Sequence, residues 1–342
     1  MTNNFINLRY IVYSPLLWLC SACSFYNGPE VIFQDYQQRL ENVLAQQINA
    51  DANPLTFATF LPGTTQPEER QIKLNEFYQL PECGIKPLIA ERNTSLGKLH
   101  SPSIRLHYEV KLHMALTRCV AITSGNEQMQ VKQLREKKVE DLLAARKTLL
   151  NASSEIRQSI NTMGVFLEND AKYRSSEVAW KQIANLLSSI QSRDVTITSW
   201  EQADLETQLK TLSEQKWLAR TINTMALFNH YLPGITRDLI TATRPITCHS
   251  LKEKTQVEYL RNIFQMFFIE QLQPMASQIN DGYYGLYDTI RILYLAEDSP
   301  KQAQHYIKID YVEAFQQFRK NLQAHVTFWQ GLFATCAIQP TV

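Results

Sequence analysis

Residues 142–167 read LLAARKTLLNASSEIRQSINTMGVFL, and this stretch decides the fold class of the chain. Its apolar residues recur at intervals of seven, with a second row alongside: Leu142, Leu149, Ile156 and Met163, and beside them Ile160 and Leu167. An apolar residue at every seventh position keeps one stripe of a helix apolar. The stretch therefore predicts a long helix whose apolar seam packs on another helix.

Similar spacing of apolar side chains continues on both sides of this stretch. It predicts amphipathic helices over about residues 31–50, 177–190 and 205–232. Ser101 is expected to cap another helix, with Pro102 at its first position and with Leu112, Leu116 and Cys119 on its apolar stripe. From Leu251 onwards, two further stripes run to Leu272 and from Tyr283 to Leu293. In the last helix, Phe315, Leu322, Trp329 and Cys336 mark one face. Proline lacks an N–H and clashes with the preceding turn, so we expect Pro233-Gly234 to stop one helix and Pro274 to end or kink another.

Strands are expected to be few. Glycine is scarce, with 10 in 342 residues, and both phosphate-cradling loops and tight hairpins depend on glycine. Only the proline-bearing stretch 51–71 leaves room for a short edge strand, at Leu55–Leu61. The sequence therefore predicts an all-α, multi-helix bundle of long amphipathic helices over residues 30–342, with a possible subdivision at the polar linker near 193–200.

The amino terminus carries a different signal. Arg9 precedes an apolar run of about ten residues, which is too short for the roughly 20 residues of a membrane-spanning helix. The run ends in Cys20-Ser21-Ala22-Cys23, which resembles the lipobox of bacterial lipoproteins, although Cys20 stands where leucine is usual. We therefore predict a lipoprotein signal peptide at 1–22 and a tether at 23–29. An ordinary cleaved secretory signal is the alternative.

The lipobox resemblance implies a location in the cell, which we call the address of the protein. Cys23 would carry acyl chains, each buried CH₂ contributing about 0.8 kcal/mol of membrane binding. Ser24 in place of aspartate favours the outer membrane, with the protein facing the periplasm. The predicted partners are thus the membrane, through the anchor, and an unknown envelope protein or ligand. Beyond Arg9 the chain has equal numbers of basic and acidic residues, so nucleic acid is excluded as a partner.

Four cysteines remain after Cys20 and Cys23: Cys83, Cys119, Cys248 and Cys336. An even number in an exported chain favours two disulfides, for which three connectivities exist. We expect Cys83 to pair with Cys119 and Cys248 with Cys336, because each pair encloses a contiguous helical segment. The alternative is that these are free buried cysteines.

Residues 83–98, CGIKPLIAERNTSLGK, are the most unusual stretch of the chain. Here the sequence resembles a family of uncharacterised gammaproteobacterial lipoproteins that is known only as a domain of unknown function. The resemblance runs through the mature chain and is most specific over Leu88–Glu109. It implies no activity, substrate or catalytic residue.

The same stretch holds a candidate ligand site made of Glu91, Arg92, Asn93 and Lys98. Arginine presents a planar fork that binds carboxylates through two hydrogen bonds, so this turn suits a carboxylate, sugar or peptide group. The alternative is a structural network in which Glu91 and Arg92 pair with neighbouring helices and Asn93 caps one.

No catalytic motif is present, and no cofactor or metal is predicted, because cysteine and histidine lack metal-ligand spacing. Aromatic side chains cluster late in the chain, and their helical spacing places them in the core: Phe264, Phe267, Phe268, Tyr283, Tyr284, Tyr287 and Tyr294. The main hypothesis is an envelope protein that works by binding or as a structural partner. The alternatives are an enzyme acting on sugars or peptides through the turn from Glu91 to Lys98, and a carrier of a hydrophobic small molecule.

Overall fold

A computed structural model describes residues 28–49, 55–57, 59, 72–94, 100–161, 163–168, 173–191, 200, 204–296 and 299–339. The regular structure in these ranges is helical, with no strand, which confirms the predicted all-α multi-helix bundle. The predicted signal peptide 1–22, Cys23, and Leu61 at the end of the possible strand lie outside them. Within that possible strand, residues 55–57 and 59 have no regular structure.

Seven helices make up the first half of the described chain. They are α1 (Pro29–Leu44), α2 (Leu74–Tyr78), α3 (Lys86–Asn93), α4 (Pro102–Ile122), α5 (Gly125–Ala152), α6 (Ser154–Ile160) and α7 (Arg174–Gln191). Ser101 begins α4 as predicted, because its Oγ accepts a hydrogen bond from Ile104 N at 3.4 Å and Pro102 stands in the first turn.

The second half contains six helices and two π-helical segments. They are α8 (Leu205–Gln215), α9 (Trp217–Thr243), α10 (Leu251–Ile263), the first π segment (Phe264–Leu272), α11 (Gln273–Tyr294), α12 (Lys301–Tyr306), the second π segment (Ile307–Glu313) and α13 (Ala314–Thr335). Each π segment joins its two flanking helices into one continuous rod. None of the helices described is both long and apolar enough to cross a bilayer.

The buried apolar side chains form two separate clusters. The larger one, which we call the body, is built from α1, α6 to α13 and the adjoining ends of α4 and α5. The smaller one lies in the arm, which consists of the antiparallel pair α4–α5 together with α2 and α3. Because α5 has 28 residues, it is about 42 Å long, and its side chains contribute to both clusters.

One disulfide braces each cluster. Cys83 is bonded to Cys119 in the arm, with Cα atoms 5.4 Å apart, and Cys248 is bonded to Cys336 in the body, with Cα atoms 5.2 Å apart. Both pairings are those expected from the sequence. The second bond fixes the loop after α9 to the end of α13, so the carboxyl-terminal helix is tied at its last turn.

The seven-residue row does not form one helix as predicted. Leu149 and Ile156 are buried, but α5 ends at Ala152 and Ser153 Oγ accepts a hydrogen bond from Ile156 N, which starts α6 as a new helix. Met163 is 66% exposed and lies beyond the end of α6. A serine at this point competes with the helical hydrogen bond and favours a cap.

The predicted stop at Pro233 is also wrong. Helix α9 runs through Pro233 to Thr243, and the break falls earlier, at Lys216, whose φ is +51°. Leu232, Ile235 and Leu239 on either side of the proline are fully buried in the body. Their burial offsets the cost of about 3 kcal/mol of a proline inside a helix.

Candidate functional site

The residues of the predicted turn lie at the end of α3. Glu91 and Asn93 are exposed and Arg92 is half-buried, while Lys98 lies outside the described residues. Successive residues of a helix point about 100° apart, so Glu91, Arg92 and Asn93 do not converge on one point. A ligand site made of Glu91, Arg92, Asn93 and Lys98 therefore remains a prediction, because the first three side chains diverge and Lys98 is not described.

Arg92 lies near a buried group of charges inside the arm. Arg105 Nη2 is 2.6 Å from Glu109 Oε1, and Lys138 Nζ is 3.8 Å from the same oxygen. Lys138 Nζ is also 2.7 Å from Asp141 Oδ2. Burial raises the pKa of the Glu109 carboxyl, and the nearby Lys138, Arg105 and Arg92 oppose that rise. We interpret this group as structural, because its ion pairs join α4 to α5.

The aromatic side chains divide between core and surface. As predicted, four of them are buried: Phe264, Phe268, Tyr283 and Tyr294. Tyr284 departs from the prediction because it is 61% exposed, and Phe267 and Tyr287 are half-buried. The exposed and half-buried tyrosines lie together on one edge of α11.

That edge of α11 forms one wall of an open groove, and α13 forms the other. The groove has a volume of about 820 Å³. Its lining side chains are Asn280, Tyr283, Tyr284, Tyr287, Phe315, Gln316, Arg319, Lys320, Leu322, Gln323 and Val326. Volumes of 300–1,000 Å³ are typical of small-molecule sites, so this groove is the candidate functional site.

Stacked rings make the floor of the groove rigid. The rings of Tyr283 and Phe315 are parallel within 6°, with centroids 3.6 Å apart, and Tyr284 meets Phe315 edge-on at 5.5 Å. Tyr311, in the second π segment, donates a hydrogen bond to Tyr283 O at 3.1 Å. Burial raises the pKa of the Tyr283 hydroxyl to about 12, so it remains a neutral donor.

The upper part of the groove is polar and positively charged. Arg319 Nη1 donates to the Tyr284 hydroxyl at 3.1 Å, which orients the guanidinium along the groove. Lys320 is exposed, and the described part of the chain offers its ammonium no hydrogen bond or ion pair. The described part of the lining includes three amide side chains and no carboxylate.

Sequence reasoning named the three tyrosines but missed the polar half of the groove. A signal was present, because Asn280, Tyr283, Tyr284 and Tyr287 follow the i, i+3, i+4, i+7 spacing of one helix face. Gln316, Arg319, Lys320 and Gln323 repeat that spacing on α13. What the spacing does not give is that the two faces lie side by side.

A buried histidine in the body also has a strongly shifted pKa. His325 Nδ1 is 2.8 Å from Thr236 Oγ1, which itself donates to Leu232 O, so Nδ1 carries the proton and donates to Thr236. His325 Nε2 accepts, with Tyr36 Oη and Trp329 Nε1 each 3.0 Å away. Burial lowers the pKa of His325 to about 3. The ring is neutral, fully bonded and closed to solvent, which makes it a structural residue.

Among the described residues, no three metal-ligating side chains of the histidine, cysteine, aspartate and glutamate types gather at one point. A protein-family model described as "Protein of unknown function (DUF3080)" matches residues 33–340. No curated protein and no solved structure matches the chain.

Proposed function

Because the chain belongs to this family of unknown function, DUF3080, we propose its function from its own residues: it is a lipid-anchored binding protein of the bacterial outer membrane, facing the periplasm. The anchor is Cys23, and the helical body and arm behind it bind an envelope component. The location at the outer membrane and the binding of an envelope component depend on different residues of the chain.

The two disulfides are the observation that supports a location outside the cytoplasm. Cys83–Cys119 and Cys248–Cys336 account for all four cysteines beyond the lipobox, and structural disulfides persist in oxidising compartments such as the periplasm. The cytosol keeps thiols reduced, so a cytosolic protein gains nothing from such pairs. Oxidised pairs and an amino-terminal lipobox support the same export route independently.

The position of α1 fits a short anchor. Six positions separate Cys23 from Pro29, where α1 begins, and six extended residues span about 20 Å. Phe33 in α1 contacts Phe228, which contacts Phe318 on the helix that forms one wall of the groove. An anchor at Cys23 would therefore hold the start of α1 within about 20 Å of the membrane surface.

Labelling of Cys23 tests the address. Cells fed radiolabelled palmitate should yield a labelled protein in the outer-membrane fraction, and Cys23→Ala should abolish both the label and the fractionation. Cys20→Ala is the matched control, because Cys20 would leave with the signal peptide and its loss should keep the label. Soluble cytosolic protein with an unmodified Met1 would contradict the proposal, and so would free thiols at the four downstream cysteines.

A further inference from the structure

The groove between α11 and α13 provides a site whose ligand class its own chemistry identifies. We propose that it binds an acidic oligosaccharide, a chain of sugar rings that carry carboxylates. This inference deepens the binding part of the proposed function, and it does not depend on whether Cys23 is acylated.

The floor of the groove suits sugar rings. Tyr284 is 61% exposed and is held edge-on against Phe315, which is itself stacked on Tyr283. A rigid aromatic surface loses little entropy on binding, and its face packs well against the C–H groups of a pyranose ring. Phenolic hydroxyls at the ring edges supply donors beside that apolar surface.

The groove walls suit hydroxyl groups. Asn280 uses its amide nitrogen to donate to Ala276 O at 3.1 Å, which leaves its carbonyl oxygen as an acceptor towards the groove. Gln316 and Gln323 on the opposite wall are exposed. An amide offers both donors and acceptors, and neighbouring sugar hydroxyls need both.

The charge of the groove selects an acidic ligand. Arg319 and Lys320 lie four and five positions after Phe315 on α13, and none of the lining residues that the structure describes is a carboxylate. These two neighbouring cations give the groove a local positive charge, which suits an anionic ligand.

A peptide fits this groove less well. Amphipathic peptide helices bind through apolar anchors that fill apolar pockets, and among the described lining residues only Leu322 and Val326 are aliphatic. An acyl chain would need an enclosed apolar cavity, whereas this groove is open and bordered by amides and cations. The balance of aromatic, amide and cationic groups therefore favours a sugar.

Binding should be measured with full-length protein in detergent, by calorimetry, using tetragalacturonate as the acidic probe and maltotetraose as the neutral one. We expect the acidic probe to bind at least about tenfold more tightly at low salt, because only its carboxylates can form charge-assisted hydrogen bonds with Arg319 and Lys320. The preference should shrink as salt screens the exposed cations.

Three surface variants assign the binding to the groove. Arg319→Gln and Lys320→Gln should each weaken tetragalacturonate binding by about fivefold to tenfold and leave maltotetraose binding unchanged. Tyr284→Ala should weaken both probes, because both need the aromatic face. The matched controls lie on α10: Lys254→Gln replaces another exposed lysine, and Tyr259→Ala replaces a tyrosine that is 58% exposed. Both controls should bind as the wild type does.

Several results would overturn the proposal. Equal affinity for tetragalacturonate and maltotetraose would show that the groove does not prefer acidic sugars. If neither probe bound, the groove would not be an oligosaccharide site. If a tetraglutamate peptide bound as tightly as tetragalacturonate, with the same dependence on Arg319 and Tyr284, the groove would be a peptide site. If Cys23 were not acylated but the groove still bound tetragalacturonate, only the proposed membrane anchor would be contradicted. A failure of the anchor can therefore be distinguished from a failure of the sugar site.

Discussion

Asp141 Oδ2 lies 2.7 Å from Lys138 Nζ, and both side chains are buried inside the arm. Asp141 is the close partner of this lysine, because Glu109 Oε1 is 3.8 Å away and pairs more closely with Arg105. The two carboxylates of the group therefore stabilise the arm unequally.

Asp141→Asn should destabilise the protein by roughly 3 kcal/mol, because it leaves the buried Lys138 without its close counter-charge. Glu109→Gln is the matched control. Its cost should stay below about 1 kcal/mol, because burial already disfavours the charged form of Glu109 and Arg105 reaches solvent. Urea unfolding of the two variants at pH 7 measures the difference. A larger loss for Glu109→Gln would show that Glu109 holds the group together.

His325 should make stability depend on pH in the acidic range. The unfolded state binds a proton near pH 6.5, whereas the folded state does so only at about pH 3, so the unfolded state holds more protons between these values. The free energy of unfolding should therefore fall as the pH falls from 6.5, by about 1.4 kcal/mol per pH unit from this group.

His325→Asn removes that contribution, so the wild type should lose more stability than the variant between pH 7 and pH 4.5. His249→Asn is the control, because it makes the same substitution at an exposed histidine. The asparagine variant should also be less stable at pH 7, since Tyr36 and Trp329 lose their acceptor. Parallel pH curves for His325→Asn and the wild type would refute the assignment.

The two disulfides should stabilise different parts of the molecule. Their sequence separations are 36 and 88 residues, and the chain-entropy account gives each a contribution of about 4 kcal/mol. Cys248→Ser with Cys336→Ser should lower the global free energy of unfolding. Cys83→Ser with Cys119→Ser should instead loosen α2 and α3, and protease should then cut near these helices while the body survives. The same digestion pattern from both pairs would argue against separate clusters.

Two helical glycines test the packing of the body in opposite directions. A Cβ at Gly282 would lie 3.1 Å from Thr221 Oγ1 and 3.2 Å from Trp217 Cζ2, both buried, whereas a Cβ at Gly331 would meet nothing within 4 Å. Gly331→Ala should therefore stabilise by up to about 1 kcal/mol through helix propensity. Gly282→Ala should destabilise by about 1 kcal/mol, because overpacking outweighs that gain. Thermal unfolding distinguishes them, and two shifts of the same sign would disprove this view of the packing.

Local signals in the sequence predicted much of the fold. The cap at Ser101 depends only on its own turn, and the disulfide pairs follow from helical segments that are contiguous in the chain. The apolar spacing likewise identified the buried faces, including Phe315 and Trp329 on the terminal helix. These features need no knowledge of which helices are neighbours.

Features that depend on neighbouring helices were predicted wrongly or missed. Pro233 remains inside α9 because residues on both sides of it are buried in the body, and that burial outweighs the local preference. The groove needs α11 beside α13, and the spacing of Tyr284 or Arg319 along its own helix carries no information about that pairing.

The contact between Tyr36 and His325 spans 289 positions of the chain. A polypeptide delivered amino end first, from a ribosome or through a translocation channel, presents α1 long before its closing helix has emerged. Until then Phe33, Tyr36 and Leu40 have no finished core to enter, and their apolar surface is open to aggregation. Newly made chains should therefore need a holding chaperone until the last helix arrives, and truncation within α13 should convert the protein into a substrate for proteolysis.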